Sequence, residues 1–281
     1  MRAGEPSRTA LGAAAHRAAH QVLEGGRVFS DPLALRILGA RAEEAVRKAE
    51  SDPESRPLRL FIAVRSRFAE DSLAASFGAG VRQLVVLGAG LDTYAFRSPL
   101  GTDLRIFEVD HPATQEWKRQ RLADVAIPVP PNVTFAPIDL EEAALSDGLL
   151  RAGFDASKPA FFAWLGVVPY LSEEAVFATL GFIGGLRGGA DVVFDYGNPP
   201  PSGPPDDEMG AARAELARRV EAAGERFRSH FETDVLHARL RARGFRVVED
   251  LGPAAIRERF FAGKGRSRAD RGGHVVHAST P

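Results

Sequence analysis

Residues 83–96 read QLVVLGAGLDTYAF. A short run of strand length, 83–87, stops at Gly88-Ala89-Gly90, and a carboxylate, Asp92, follows at once. Two glycines let a chain reverse sharply and let a ligand approach the backbone closely. Three readings fit: a plain structural turn, a dinucleotide site, or a site for another adenine-containing cofactor.

Outward from this run the chain alternates. Further apolar runs at 104–109, 132–138, 159–168 and 190–196 read as strands, with helical segments at 112–124, 141–152 and 172–186 between them. Continuous apolar strands spaced by helices imply an α/β fold, with a parallel sheet covered on both faces. Residues 245–251 form a sixth strand and GGHVVHAST, 272–280, a seventh, which suggests an antiparallel closure at one sheet edge. Helices are expected at 8–23, at 31–49 from a start at Ser30-Asp31-Pro32, and at 58–77, ended by Gly78-Ala79-Gly80. The stretch 197–207, GNPPPSGPPDD, is a breaker, followed by helices at 208–223 and 234–243. The whole reads as one domain: a helical extension (1–80), a cofactor-binding core (81–196), a cap insertion (197–233) and the C-terminal part of the core (234–281).

Composition narrows the function classes. A chain of 281 residues with 44% apolar residues buries a sizeable core without staples. It has no cysteine, which excludes disulfides, a thiol nucleophile and thiolate metal sites and fits a reducing cytoplasm. The 36 basic and 37 acidic residues leave a net charge of −1, so nucleic acid is not an expected partner. No run of about 18 apolar residues marks a membrane span, and Arg17, His16 and His20 interrupt any signal-peptide core. No repeat is visible, and no cluster has metal-ligand spacing; His274 and His277 are isolated. The sequence carries no signal for an oligomeric state.

In an open parallel sheet, ligands bind beyond the carboxyl ends of the strands, where the strand order reverses. The dinucleotide fingerprint asks for a third glycine, but Thr93 stands there, and Asp92 would repel a pyrophosphate. Asp110 ends the second strand, 20 residues after Gly90, where a carboxylate accepts from ribose hydroxyls. Asp139 ends the third and suits an adenine amino group, with Leu140 beside the ring; it suits a cap of the following helix equally well. S-adenosylmethionine, an adenosine with a sulfonium amino acid and no phosphate, fits the set. An NAD-dependent oxidoreductase and a non-catalytic cofactor-binding protein are the rivals.

These residues lie in longer stretches: TALGAAAHRAAH, DPLALRILG, AVRSRFAEDSL, VVLGAGLDTYAFR, FEVDHPATQEWKRQRL, PIDL, FFAWLGVVPYLSEEAV and GFRVVEDLGPAAIRERFF. In that order, over nearly the whole chain, they resemble the class I S-adenosylmethionine-dependent methyltransferases of the leucine carboxyl methyltransferase type, bacterial O-methyltransferase branch. The resemblance implies a Rossmann-like, seven-stranded, mostly parallel sheet with an N-terminal helical extension and a cap. It implies cofactor contacts from Arg65, Gly88, Asp110, Asp139 and Leu140, to which the turn adds Gly90 and Asp92. Arg65 is expected to hold the methionine carboxylate through its guanidinium fork. One departure stands out: the family carries a glutamate at the end of the fourth strand, and Leu165 occupies that position. That favours a small-molecule acceptor over a phosphatase C-terminus.

A carboxylate acceptor needs no base, whereas a hydroxyl gains from one. Candidates are His111 beside Asp110, Tyr196 at the end of the fifth strand, and His230. Trp164 and Tyr170 are candidates to face an aromatic acceptor.

Overall fold

The computed structural model describes residues 7–141, 144–200, 215, 217, 218, 220, 221, 224, 226–261 and 271–281. Four helices precede the sheet: α1 (Arg8–Leu23), α2 (Ala34–Leu38), α3 (Ala42–Ser51) and α4 (Arg56–Gly78). Ser7 caps α1, its Oγ accepting from Ala10 N at 3.2 Å. The helix expected at 31–49 is broken, because Gly39 adopts φ +57° and a single 3-10 turn separates α2 from α3.

Seven strands follow: β1 (Gln83–Leu87), β2 (Arg105–Asp110), β3 (Val133–Pro137), β4 (Ala160–Trp164), β5 (Ala190–Gly197), β6 (Arg246–Leu251) and β7 (Gly273–Ser279). The order is β3-β2-β1-β4-β5-β7-β6; the first five are parallel, and β7 lies antiparallel between β5 and β6. β7 therefore enters the sheet beside β5, and β6 takes the edge. Helices α5 (Pro112–Asp124), α6 (Leu145–Arg151), α7 (Glu173–Gly184), α8 (Thr233–Arg241) and α9 (Pro253–Phe260) complete the described elements. α9 was not anticipated, although Pro253 in its first turn is an ordinary helix-start signal. The expected fourth strand is shorter than 159–168, ending at Trp164, because Gly166 turns the chain at φ +72°. The expected cap helix at 208–223 falls largely outside the described residues.

Every β1 residue is buried, as a central parallel strand requires. One face of the sheet packs Phe107, Phe162, Trp164 and Phe194 against α6, α7 and α8. The other packs Leu84, Val86, Phe161 and Val193 against α4. The chain leaves β1 toward β2 and β3, then returns to place β4 on β1's other side, so the strand order switches between β1 and β4. A cavity of about 510 Å³ opens there, within the usual range for small-molecule sites.

Candidate functional site: a carboxylate-ringed cavity at the strand switch

Gly88 and Gly90 take φ +63° and +45°, a region that L side chains rarely occupy. Their missing side chains serve the protein as well as any ligand. A Cβ at Gly88 would sit 2.3 Å from Cγ2 of Val167, on the turn after β4, and one at Gly90 would sit 3.0 Å from Cβ of Ala10 on α1. The turn is thus pressed between β4's exit and the N-terminal helix.

Three of its amides are spoken for. Ala89 N donates to Val109 O at 3.0 Å, Gly90 N to Asp110 Oδ2 at 2.5 Å, and Asp92 N to Ala89 O at 2.7 Å. Only a 3-10 turn, Tyr94–Phe96, follows, and the next α-helix starts at Pro112. A pyrophosphate site needs free amides at a helix N-terminus. This turn has no such helix N-terminus and three of its amides already bonded, which argues against the dinucleotide reading.

Asp92, Asp110 and Asp139, with Glu70 and Glu141, put carboxylates around the cavity instead. Asp110 accepts from Gly90 N through Oδ2 and from His111 N through Oδ1 at 2.7 Å. Each oxygen keeps a lone pair for a further donor. Burial raises the Asp110 carboxyl, and the two amides and Lys118 oppose it without cancelling it. Burial also works against ionised Asp92, but Arg17, Lys118 and Arg97 overcome it and hold its carboxyl below the usual range. Asp139 Oδ1 accepts from Glu141 N at 3.0 Å, the capping role weighed above, while the residue still lines the cavity with Leu140.

Arg65 also lines the cavity, but one arm of its fork is in use: Nη1 donates to Asp195 Oδ2 at 2.8 Å. Asp195 Oδ1 accepts from Gly166 N at 2.5 Å, and a Cβ at Gly166 would meet the guanidinium at 2.5 Å. Arg65 is therefore clamped against the turn after β4, and only its other arm can serve a ligand.

Two expected catalytic groups are placed otherwise. Tyr196 is buried away from the cavity; its OH donates to Asp250 Oδ2 at 2.7 Å and its ring stacks on His274 at 4.8 Å. It faces the other side of β5 from Asp195, as strand alternation demands. His111 does line the cavity, but it is the N-cap of α5: Nδ1 accepts from Ala113 N at 3.2 Å, which puts the ring proton on Nε2, 3.7 Å from Asp139 Oδ2. Neither nitrogen then has a lone pair for an acceptor's proton. His230 is half-buried beside Phe227 and outside the cavity wall. Trp164 is fully buried against Phe194 and does not reach the cavity, whereas Tyr170 does. No group of three or more metal-ligating residues occurs among the described residues, and no helix there is long and apolar enough to cross a membrane.

Several residues in the wall and behind it went unnoticed in the sequence. Arg17 crosses from α1 to donate to Leu91 O, and Arg97 holds Glu70 through both arms of its fork. Asp31, read as a helix start, accepts from Leu33 N at 3.0 Å just before α2 and is a hub as well: it accepts from Thr93 Oγ1 at 2.8 Å and lies 3.3 Å from Arg97 and 3.5 Å from Arg17. The signal was there in Arg17, a charge interrupting an alanine-rich helix. Arg226 and Arg228 also line the cavity, with Arg228 paired to Glu141 at 2.9 Å.

A family model described as leucine carboxyl methyltransferase matches residues 10–184. A Bacillus subtilis protein described as "Putative S-adenosyl-L-methionine-dependent methyltransferase YktD" is 30% identical, with 99% of each chain covered. A Mycolicibacterium paratuberculosis protein described as "Putative S-adenosyl-L-methionine-dependent methyltransferase" is 33% identical over 76% of this chain and 72% of its own. The crystal structure of a DUF574 family protein from Streptomyces avermitilis shares the fold, with a TM-score of 0.58 at 17% identity and 99% of each chain covered. On the family match and the full-length relative together, the chain belongs to the leucine carboxyl methyltransferase family.

Proposed function

We propose that the protein transfers a methyl group from S-adenosylmethionine to an oxygen of a small-molecule acceptor, a carboxylate before a hydroxyl. The cofactor is S-adenosylmethionine. The observation that carries this reading is the turn after β1: its amides at Ala89, Gly90 and Asp92 are internally bonded, and it offers carboxylates where a phosphate would need donors.

The residues present fit such a cofactor. Asp110 offers lone pairs to ribose hydroxyls, Asp139 and Leu140 an edge and a face to adenine, and the free arm of Arg65 a donor to the amino acid carboxylate. Ionised Asp92 is the counter-charge for a cationic ligand group. When bound, the cofactor supplies an electrophilic methyl on a sulfonium; the acceptor oxygen forms the new bond to carbon as the carbon–sulfur pair returns to sulfur.

The protein's own contribution is placement and exclusion of water. Placement alone is worth up to about 7–11 kcal/mol in favourable cases. The histidine in the wall is committed to capping α5, and the strand-end tyrosine lies outside the cavity. An acceptor that arrives already charged needs neither. Arg226 and Arg228 in the wall suit an anionic acceptor. The test is a screen of small carboxylic acids and phenols for release of S-adenosylhomocysteine. Turnover confined to carboxylates supports the reading, and turnover confined to phenols reverses the order of preference.

A further inference from the structure

Four arginines line the cavity: Arg17, Arg65, Arg226 and Arg228. Three are committed. Arg17 holds Leu91 O and faces Asp31, Arg65 holds Asp195, and Arg228 lies 2.9 Å from Glu141. Arg226 is exposed and has neither an ion-pair nor a hydrogen-bond partner among the described residues.

The backbone beside Arg226 is nevertheless well anchored. Arg228 N donates to Pro169 O at 2.7 Å and Ser229 Oγ to Val168 O at 2.8 Å, which ties this stretch to the turn after β4. The Phe227 ring lies 5.4 Å from the Tyr170 ring, tilted by 34°. Farther on, Phe231 N donates to Gly197 O at 3.0 Å and Asn198 Nδ2 to Phe231 O at 3.0 Å, which fixes the stretch to the end of β5. On the other side Arg228 reaches Glu141, which also accepts from Ser172 N at 2.9 Å. The result is a strap along the cavity wall, with Arg226 one residue before the contact with Tyr170.

The rest of the wall does not suit an acid. Asp92, Asp110 and Asp139 at the strand ends accept hydrogen bonds and, when ionised, cannot donate them. Glu70 on α4 is held by both arms of Arg97. The free arm of Arg65 is taken by the amino acid end of the cofactor in the reading above. Arg226 is left with a whole guanidinium fork, the group best shaped to grip a carboxylate. Its place also separates it from the reacting oxygen. The methyl group lies between the ribose at Asp110 and the carboxylate at Arg65, whereas Arg226 stands at the exposed rim. A guanidinium on the attacking oxygen would, moreover, hold back the electron pair that must reach carbon.

We propose that Arg226 determines specificity by binding an anionic group of the acceptor other than the one that is methylated, so that the acceptor class is a dianion, in the simplest case a dicarboxylate. The proposal rests on the methyl-transfer reading of this cavity.

The test titrates the full-length protein, in saturating S-adenosylhomocysteine, by calorimetry with two sets of acids whose far ends are neutral, anionic or cationic. The flexible set is pentanoate, glutarate and 5-aminopentanoate; the rigid set is benzoate, isophthalate and 3-(aminomethyl)benzoate. In at least one set the dianion is expected to bind about tenfold tighter than the monoanion, the size of a charge-assisted hydrogen bond. Arg226→Gln is expected to remove that gain while still binding S-adenosylhomocysteine. Arg226→Glu is expected to prefer the amine-tailed member over the dianion, a switch that a merely structural role does not produce. A parent that binds neither dianion tighter than its monoanion overturns the proposal, as does a gain that survives Arg226→Gln. Failure of S-adenosylhomocysteine to bind strikes the cofactor reading instead, and the same titrations without it still test Arg226.

Discussion

Arg65 on α4 and Asp195 on β5 meet at 2.8 Å with both side chains nearly buried, and Asp195 uses its second oxygen to hold Gly166 N. One carboxylate therefore sets the position of the cavity's guanidinium and of the turn after β4. Removing one partner of a buried pair strands the other, at about 3–5 kcal/mol. Asp195→Ala is expected to lower the melting temperature and to weaken S-adenosylhomocysteine binding together. Asp195→Asn keeps an acceptor for one of the two donors and should recover most of the stability but less of the affinity. Calorimetry and thermal melting on the pair separate the two effects.

The glycine turn makes a second prediction. Gly88→Ala places a Cβ against Val167 and holds a non-glycine residue at φ +63°. The clash and the strain should together destabilise the fold by about 2–4 kcal/mol. Adding Val167→Ala relieves the clash only, so the double variant should recover part of the loss in a urea titration. Full recovery would show that the backbone angle matters little.

Glu108 and Lys118 form a fully buried pair behind the turn, 2.8 Å apart through Oε1. Burial pushes the Glu108 carboxyl up from 4.5 to about 7, with Lys118 only partly opposing it. A group whose folded-state pKa is raised contributes stability that is complete below its unfolded value and is lost as pH rises through the folded value. Stability relative to Glu108→Gln should therefore be greatest near pH 4.5 and fall as pH passes about 7. Melting temperatures of both proteins from pH 4.5 to 8 read this directly, and a difference constant with pH contradicts it.

Tyr196 carries a structural expectation. Its hydroxyl serves Asp250, which also meets His237 Nε2 at 2.7 Å and His274 Nδ1 at 2.9 Å. Burial would raise the Asp250 carboxyl, but bonds from His274, Tyr196 and His237 hold it below the usual range. Tyr196→Phe should cost about 1–3 kcal/mol of stability and leave kcat on a found acceptor nearly unchanged. A large fall in kcat with stability intact would return Tyr196 to the reaction.

The sheet was legible in the sequence because buried parallel strands are short, mostly apolar runs such as 83–87 and 190–196, spaced by helical segments. The strand-end carboxylates were legible for a related reason: Asp110 and Asp139 break such runs at the edge where parallel sheets bind ligands. What escaped was set by distant partners. Nothing local says that Asp31 will meet Thr93 and Arg97, or that Asp195, inside an apolar strand, will clamp an arginine 130 residues earlier. The local partners of His111 and Tyr196 were hidden for the same reason. Both sit at strand ends, but a helix start claims one, and the alternation of β5 turns the other away from the cavity.

The most direct test is calorimetric titration of the protein with S-adenosylhomocysteine, with NAD in parallel and with Asp110→Ala beside the parent. The account predicts micromolar binding of S-adenosylhomocysteine, none of NAD, and a loss of about tenfold or more in the variant, the size expected for charge-assisted hydrogen bonds. A folded parent that ignores S-adenosylhomocysteine, or a variant that binds it as well as the parent does, would contradict the assignment of the carboxylate ring to the cofactor.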